Sequence, residues 1–247
     1  EAQGVPLEKW QIAIYRGILT GYNEAFYITT EQRDAFIAED ERCKDLIVPL
    51  LRGRDIQRYA TDWERLDDEK WLINSHNGIK ERGIPPINLE ADYPLLWSHL
   101  IKYREKLEQR LDQGDHWSNL RNCAYLNDFR KPKIIYPEIT KKLAFFFDSE
   151  GVYFPNNKGF SLTTEYESLG YLIAVLNSNL FRCCFMDNFP NLGEDRRELR
   201  KIFMDKVPIK KPSPDQTKLF EALVAMVQAA KAVFQRTGDA TLKNAAT

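Results

Sequence analysis

The chain has 247 residues, 43% apolar and 12% aromatic, with 35 Lys/Arg against 36 Asp/Glu and a net charge of -1. That much apolar side chain builds a core and excludes a disordered tail. A charge near zero excludes global attraction to nucleic acid or membrane, so a nucleic-acid surface has to be a segregated patch, and no apolar run approaches the ~20 residues of a membrane-spanning helix.

Glu1–Pro6 lacks the basic head and apolar centre of a signal peptide, and without an initial Met the chain reads as a piece of a longer protein. Cys43, Cys123, Cys183 and Cys184 show no C-x-x-C spacing, which predicts a reduced, cytoplasmic protein. His76, His99 and His116 are scattered, so no zinc site is expected.

Alternating apolar residues over Gln11–Thr20 predict a strand, Gly21-Tyr22-Asn23 a turn, and Glu24–Thr29 a returning strand. Thr20 and Asn23 would then sit at a loop tip, placed to present short polar groups to a ligand. Glu31 to Ile47 reads as an acidic helix. It leads into Pro49-Leu50-Leu51-Arg52-Gly53-Arg54-Asp55-Ile56-Gln57-Arg58-Tyr59, which packs three arginines into seven positions. A guanidinium donates in a fixed fork that suits phosphate oxygens or the O6/N7 edge of guanine, and Gly53 permits a sharp turn and a close approach. The flanks are acidic: six carboxylates against three bases over 31–45, and five against two over 62–70. The positive charge is therefore local, and the bland alternative is an ion network with those carboxylates.

Trp71–Asn74 predicts a strand. Asp92 is a candidate cap for a helix to about Leu111, with Leu96, Leu100, Tyr103, Leu107 and Leu111 on its apolar face and Lys102, Arg104, Glu105, Lys106, Glu108 and Arg110 on a solvated one. A second basic region, 121–142, carries six Lys/Arg against two acids. Within it Lys131-Pro132-Lys133-Ile134-Ile135-Tyr136-Pro137 predicts a proline-bounded strand. Leu143–Phe147 and Val152–Phe154 predict an aromatic hairpin across Asp148–Gly151. Thr164 and Glu167 form a capping-box pattern before a helix through Tyr171–Leu176; apolar sequence resumes over Leu180–Met186 after Asn177-Ser178-Asn179. A third basic region, 194–211, has seven bases against four acids. Ser213-Pro214-Asp215-Gln216 opens a final amphipathic helix, whose apolar stripe is Leu219, Leu223, Met226, Ala230 and Val233, widened by Phe220, Val227 and Phe234, and the tail after Gly238 reads as frayed.

Four segments in order carry a resemblance: Arg16 to Phe26, Pro49 to Ile56, Lys131 to Ile135, and Tyr171 to Ser178. Together they resemble the TaqI-like specificity domain, the C-terminal target-recognition region of many adenine-specific DNA methyltransferases and type IIG restriction–modification enzymes, over roughly Tyr15 to Ile209. The resemblance implies a module that grips double-stranded DNA and reads its sequence while separate domains methylate and cut. It implies S-adenosylmethionine for the parent enzyme and N-terminal methyltransferase or nuclease domains as partners. The expected fold is α+β: a mixed-sheet target-recognition domain with flanking helices over 1–212, then a long C-terminal helix and tail over 213–247. Candidate DNA-binding residues are Thr20, Asn23, Arg52, Arg54, Arg58, Lys131 and Lys133.

No catalytic residue, metal site or cofactor site is expected in this chain. The Pro-Pro of Ile84-Pro85-Pro86-Ile87 lacks the preceding amide and following aromatic of an Asn-Pro-Pro-Tyr adenine site, and no glycine-rich turn serves S-adenosylmethionine. Two readings of other classes stand beside DNA recognition. One is a protein-interaction module using the aromatic hairpin and the C-terminal helix. The other is a metal-dependent nuclease built on Asp55 and Asp68-Glu69-Lys70. A single contiguous positive cleft would favour DNA; a divalent metal at Asp68 would favour the nuclease.

Overall fold

The computed structural model describes residues 4–66, 68 and 70–237. Two four-stranded sheets carry the fold. The strands are β1 (Ala13–Arg16), β2 (Tyr27–Ile28), β3 (Ile47–Leu51), β4 (Trp71–Ile73), β5 (Lys133–Pro137), β6 (Phe146–Asp148), β7 (Phe154–Pro155) and β8 (Gly159–Thr163). One sheet is antiparallel, in the order β6-β5-β8-β1. The other is mixed, in the order β7-β3-β4-β2, with β7 parallel to β3. The α+β mixed-sheet expectation holds.

Every residue of β5 and β8 is buried. The longer helices of the first half are α1 (Thr30–Glu39) and α2 (Pro94–Leu100). Ile134, Tyr136, Phe160 and Leu162 pack beneath helices α3 (Leu169–Leu176) and α4 (Asn179–Asn188), against Leu172, Ile173, Phe181 and Phe185. On the mixed sheet, Ile28, Leu50 and Leu72 share a second core with Phe26, Leu96, Leu100, Leu107 and Phe129. A smaller cluster of Leu51, Ile56, Trp63, Ile135 and Ala144 lies in a third group.

Several predicted elements are shorter or different. The Asn23–Phe26 segment is one helical turn, leaving only Tyr27–Ile28 of the returning strand. The acidic helix spans Thr30–Glu39, opened by reciprocal Thr29–Gln32 capping bonds. It stops because the Asp40 carboxylate takes the Arg42 N–H and caps a separate turn. The predicted 92–111 helix is broken into turns at Leu89–Asp92, Pro94–Leu100 and Arg104–Glu108, and Asn88 rather than Asp92 supplies a cap. Arg110, expected on a solvated face, is buried. It donates to the carbonyls of Leu107, Thr20, Trp117 and Asn119, and burial pulls its guanidinium down to about 10.

The aromatic hairpin does not form. β6 pairs with β5, whereas Phe154 and Pro155 enter the other sheet beside Leu50 and Leu51. The physical cause is Asp148, whose carboxylate accepts the Val152 and Tyr153 N–H groups and turns the chain away. The interaction reading loses the hairpin half of its surface, since Phe145 and Phe154 are core. Thr164 caps only a local turn, and Ser168 is the cap of α3.

The final helix, α5, spans Pro214–Thr237, with Ser213 and Gln216 exchanging side-chain-to-backbone bonds at its start. It docks on α3 through Phe220 and buried Val224. Phe220 meets Tyr171 edge-on at 5.3 Å, and a methyl on Gly170 would sit 2.8 Å from Glu221 Cγ. Further along, Gln228 and Gln235 donate to the Phe147 and Thr61 carbonyls. The face used is the widened edge of the stripe read in sequence: Phe220, Val227 and Phe234 are partly covered, whereas Leu219, Leu223, Met226 and Val233 point outward. The expected frayed tail lies outside the described residues. Truncation after Pro212 should lower the melting temperature, because Tyr171 and Gly170 lose their cover. An unchanged melting temperature would make α5 a mere tether.

Candidate nucleic-acid interface

The arginine stretch begins where β3 ends. Arg52 is buried and its guanidinium grips two carboxylates. Nε lies 2.6 Å from Asp55 Oδ2, and Nη1 and Nη2 lie 2.8 and 2.9 Å from the two oxygens of Asp68. The Asp55 carboxylate also takes the Arg52 N–H, closing the Gly53–Asp55 turn. Burial opposes the charged guanidinium, but bonds to Asp68 and Asp55 outweigh it and hold Arg52 above its ordinary value. The same Arg52 bonds hold the Asp68 carboxyl below its usual range. Arg52 is thus structural. Asp55 and Asp68, the carboxylates of the nuclease reading, are both engaged by this arginine; Glu69 lies outside the described residues.

Arg54 points the other way, with its side chain 69% exposed and two solvent-side links, to Asp68 at 3.1 Å and to Asp55 at 3.7 Å. Gly53 permits this arrangement: a methyl there would sit 2.6 Å from the Lys158 carbonyl oxygen. The close approach read from its glycine is to the chain itself, namely the turn joining β7 to β8. Gly17 presses on the same turn from its other side, where a methyl would meet the Asn156 oxygen at 2.1 Å.

Arg54 and Arg58 form one wall of a cleft of about 1150 Å³. Lys141 and Lys142 line it after the short strand Ile139–Thr140. Lys158 enters from the β7–β8 turn, Arg182 from the first turns of α4, and Arg196 from the loop before Arg197. Seven bases therefore face three carboxylates, Glu138, Glu194 and Asp195, a surplus of four. Glu138 is buried and already holds Arg16 at 2.9 Å. Lys142, Arg182 and Arg196 are exposed, and none forms an ion pair among the described residues. The positive end of α4 adds to the field at Asn179 and Arg182. The three basic regions of the sequence each contribute, so the positive charge is gathered on one concave surface.

The remaining predicted residues do not line this cleft. Lys133 is fully buried, with Nζ 2.5 Å from Asp148 Oδ2 and 2.6 Å from the Phe129 carbonyl. Burial lowers its ammonium below the ordinary value, and its role is to anchor Asp148. Lys131 pairs with Asp128 at 3.0 Å and Glu165 at 2.8 Å. Thr20 is 1% exposed and donates its hydroxyl to Asn23 Oδ1 at 2.6 Å. Its carbonyl accepts from Arg110, so the expected loop tip is a tied corner, with exposed Asn23 at its edge. Sequence reasoning missed Lys158 and Arg182, and placed Lys141, Lys142 and Arg196 only within basic regions, not among the contacts. Arg182 had a usable signal, being a lone base in an apolar run that must turn outward.

With this geometry in place, comparison identifies the chain. Residues 48–209 match the family model of the TaqI-like C-terminal specificity domain, and the chain belongs to that family. Among solved structures it is similar to the type IIL restriction-modification enzyme MmeI in complex with DNA, with a TM-score of 0.60, 13% identity, and 92% of this chain and 28% of that one covered. It is also similar to the type IIG restriction endonuclease BpuSI, with a TM-score of 0.56, 12% identity, and coverage of 93% and 28%. At these identities the likeness is one of fold, and the chain spans little more than a quarter of either enzyme. No match was found among curated protein sequences.

Breaking the Arg52 network leaves two carboxylates facing each other around a vacated site. Arg52→Ala should cost about 3 kcal/mol of stability, and Arg54→Ala less than about 1 kcal/mol. Urea unfolding of both variants checks the order; a small, equal loss would show that Arg52 does not hold the turn.

Proposed function

We propose that this chain is the target-recognition module of a restriction–modification enzyme and that double-stranded DNA lies in the basic cleft. The observation that carries the reading is the convergence of Arg54, Arg58, Lys141, Lys142, Lys158, Arg182 and Arg196, from separate segments, on one concave surface. Lysines neutralise phosphates and set the register, releasing counterions. Arginines held on a fixed turn have the geometry to fork onto guanine. Arg54 and Arg58 are the readers this arrangement favours, and Lys142 and Arg182 the phosphate contacts. Thr20, Arg52, Lys131 and Lys133 drop out of the contact set on burial and pairing.

Methyl transfer with S-adenosylmethionine, and any strand cutting, belong in this reading to other domains of a longer parent. The module itself binds and orients. MmeI, a fold relative, is described in complex with DNA, which supports the reading.

The test is fluorescence anisotropy with a mixed-sequence duplex at several salt concentrations. Lys142→Ala with Arg182→Ala should weaken binding and reduce the log–log salt slope by about two units, one per lost phosphate contact. Lys131→Ala should leave the slope unchanged. An unaltered slope in the double variant, or a reduced one in Lys131→Ala, would move the DNA surface away from the cleft.

A further inference from the structure

A second pocket, of about 440 Å³, opens on the other side of the β7–β8 turn. Asn157 lines this pocket while its neighbour Lys158 lines the basic cleft. Arg16 at its mouth reaches across to Glu138 of the cleft at 2.9 Å and to the Asn157 carbonyl. The two concavities therefore share one wall.

The walls of the pocket are rich in neutral hydrogen-bonding groups, Asn74, His76, Asn77, Asn122, Tyr125 and Asn157, with no carboxylate among them; its two charged side chains, Arg16 and Arg121, are paired with Glu138 and Asp112 outside it. The segments carrying them are tied together by the Leu120 N–H on the Ser75 carbonyl at 2.7 Å and by Asn77 on Asn122. Asn74 is 3% exposed, yet its side-chain oxygen has no hydrogen-bond partner. Buried amides are nearly always satisfied, so an unmatched one at a pocket wall calls for a donor. His76 Nδ1 accepts the Gly78 N–H at 3.1 Å, which leaves the ring hydrogen of the neutral form on Nε2. Burial, with Arg130 nearby, lowers the His76 pKa and keeps that neutral form. Tyr125 adds an aromatic ring, stacked on Tyr15 at 4.4 Å.

We propose that this pocket binds a nucleobase. An uncharged planar heterocycle with both donors and acceptors matches an amide-lined, carboxylate-free pocket with a neutral imidazole and a phenol ring. Two sources have this chemistry: a free nucleoside, and a nucleotide turned out of a duplex held in the adjoining cleft. The second source rests on the DNA reading above; the first does not.

The experiment uses the full chain and two probes. Saturation-transfer NMR with each of the four common deoxynucleosides should show contact for at least one. Ala124→Trp, at an exposed position on the pocket wall, should weaken it about tenfold or more by filling the space, as should Asn74→Leu if it folds. Lys142→Ala with Arg182→Ala should leave nucleoside contact intact, separating the pocket from the cleft. Duplexes carrying 2-aminopurine at successive positions distinguish the sources. A fluorescence rise at one position, abolished by Ala124→Trp, assigns an extruded base. Nucleoside contact without such a rise assigns a free one. Absence of both signals, or signals that Ala124→Trp leaves unchanged, overturns the proposal even if the cleft binds DNA as described.

Discussion

Two glycines grip one turn, and the candidate surface depends on that grip. The Pro155–Gly159 turn carries the chain from the mixed sheet into the antiparallel one. Gly17 and Gly53 lie against its backbone from two sides, each closer than a Cβ atom allows. Backbone bonds complete the clamp, from Gly17 to Gly159, Ile18 to Pro155 and Asn156 to Leu51. Because the turn cannot shift, Lys158 and Asn157 are fixed on opposite sides of it. The Arg52–Asp55 bend is likewise fixed against it.

Charge is divided by burial. A cation taken out of water must find a carboxylate or several carbonyls, because an unpaired buried charge is too costly to persist. Arg52, Lys133 and Arg110 obey this rule with Asp55 and Asp68, Asp148, and four carbonyls respectively. Bases left in water keep their field for a ligand, and those of the cleft converge. The near-neutral chain therefore makes a positive surface by burying or pairing many cations elsewhere.

The sequence made the sheet strand at Lys133–Pro137, the strand at Trp71, the α3–α4 break and the start of α5 legible, because proline, capping and apolar patterns act locally. It also marked the family and the three basic regions. It favoured Arg54 for the ligand side but left Arg52 between phosphate and structure, since the two stand one and three residues from Asp55 and only the fold buries Arg52 between Asp55 and Asp68. Lys133 looked like a surface base because alternation cannot show that both faces of β5 are covered. The hairpin misled because Asp148 bends the chain by a side-chain contact that hairpin patterns do not encode. Lys158 and the second pocket are products of tertiary closure, assembled from segments far apart in the chain.

The most direct measurement is site-specific photo-crosslinking of the chain to duplex DNA, with a crosslinking side chain placed in turn at Arg182 and Lys142 in the cleft and at Glu105 on the exposed 104–108 helix. The account predicts DNA adducts from positions 182 and 142 and none from 105. Adducts from 105, with none from the cleft, would contradict it.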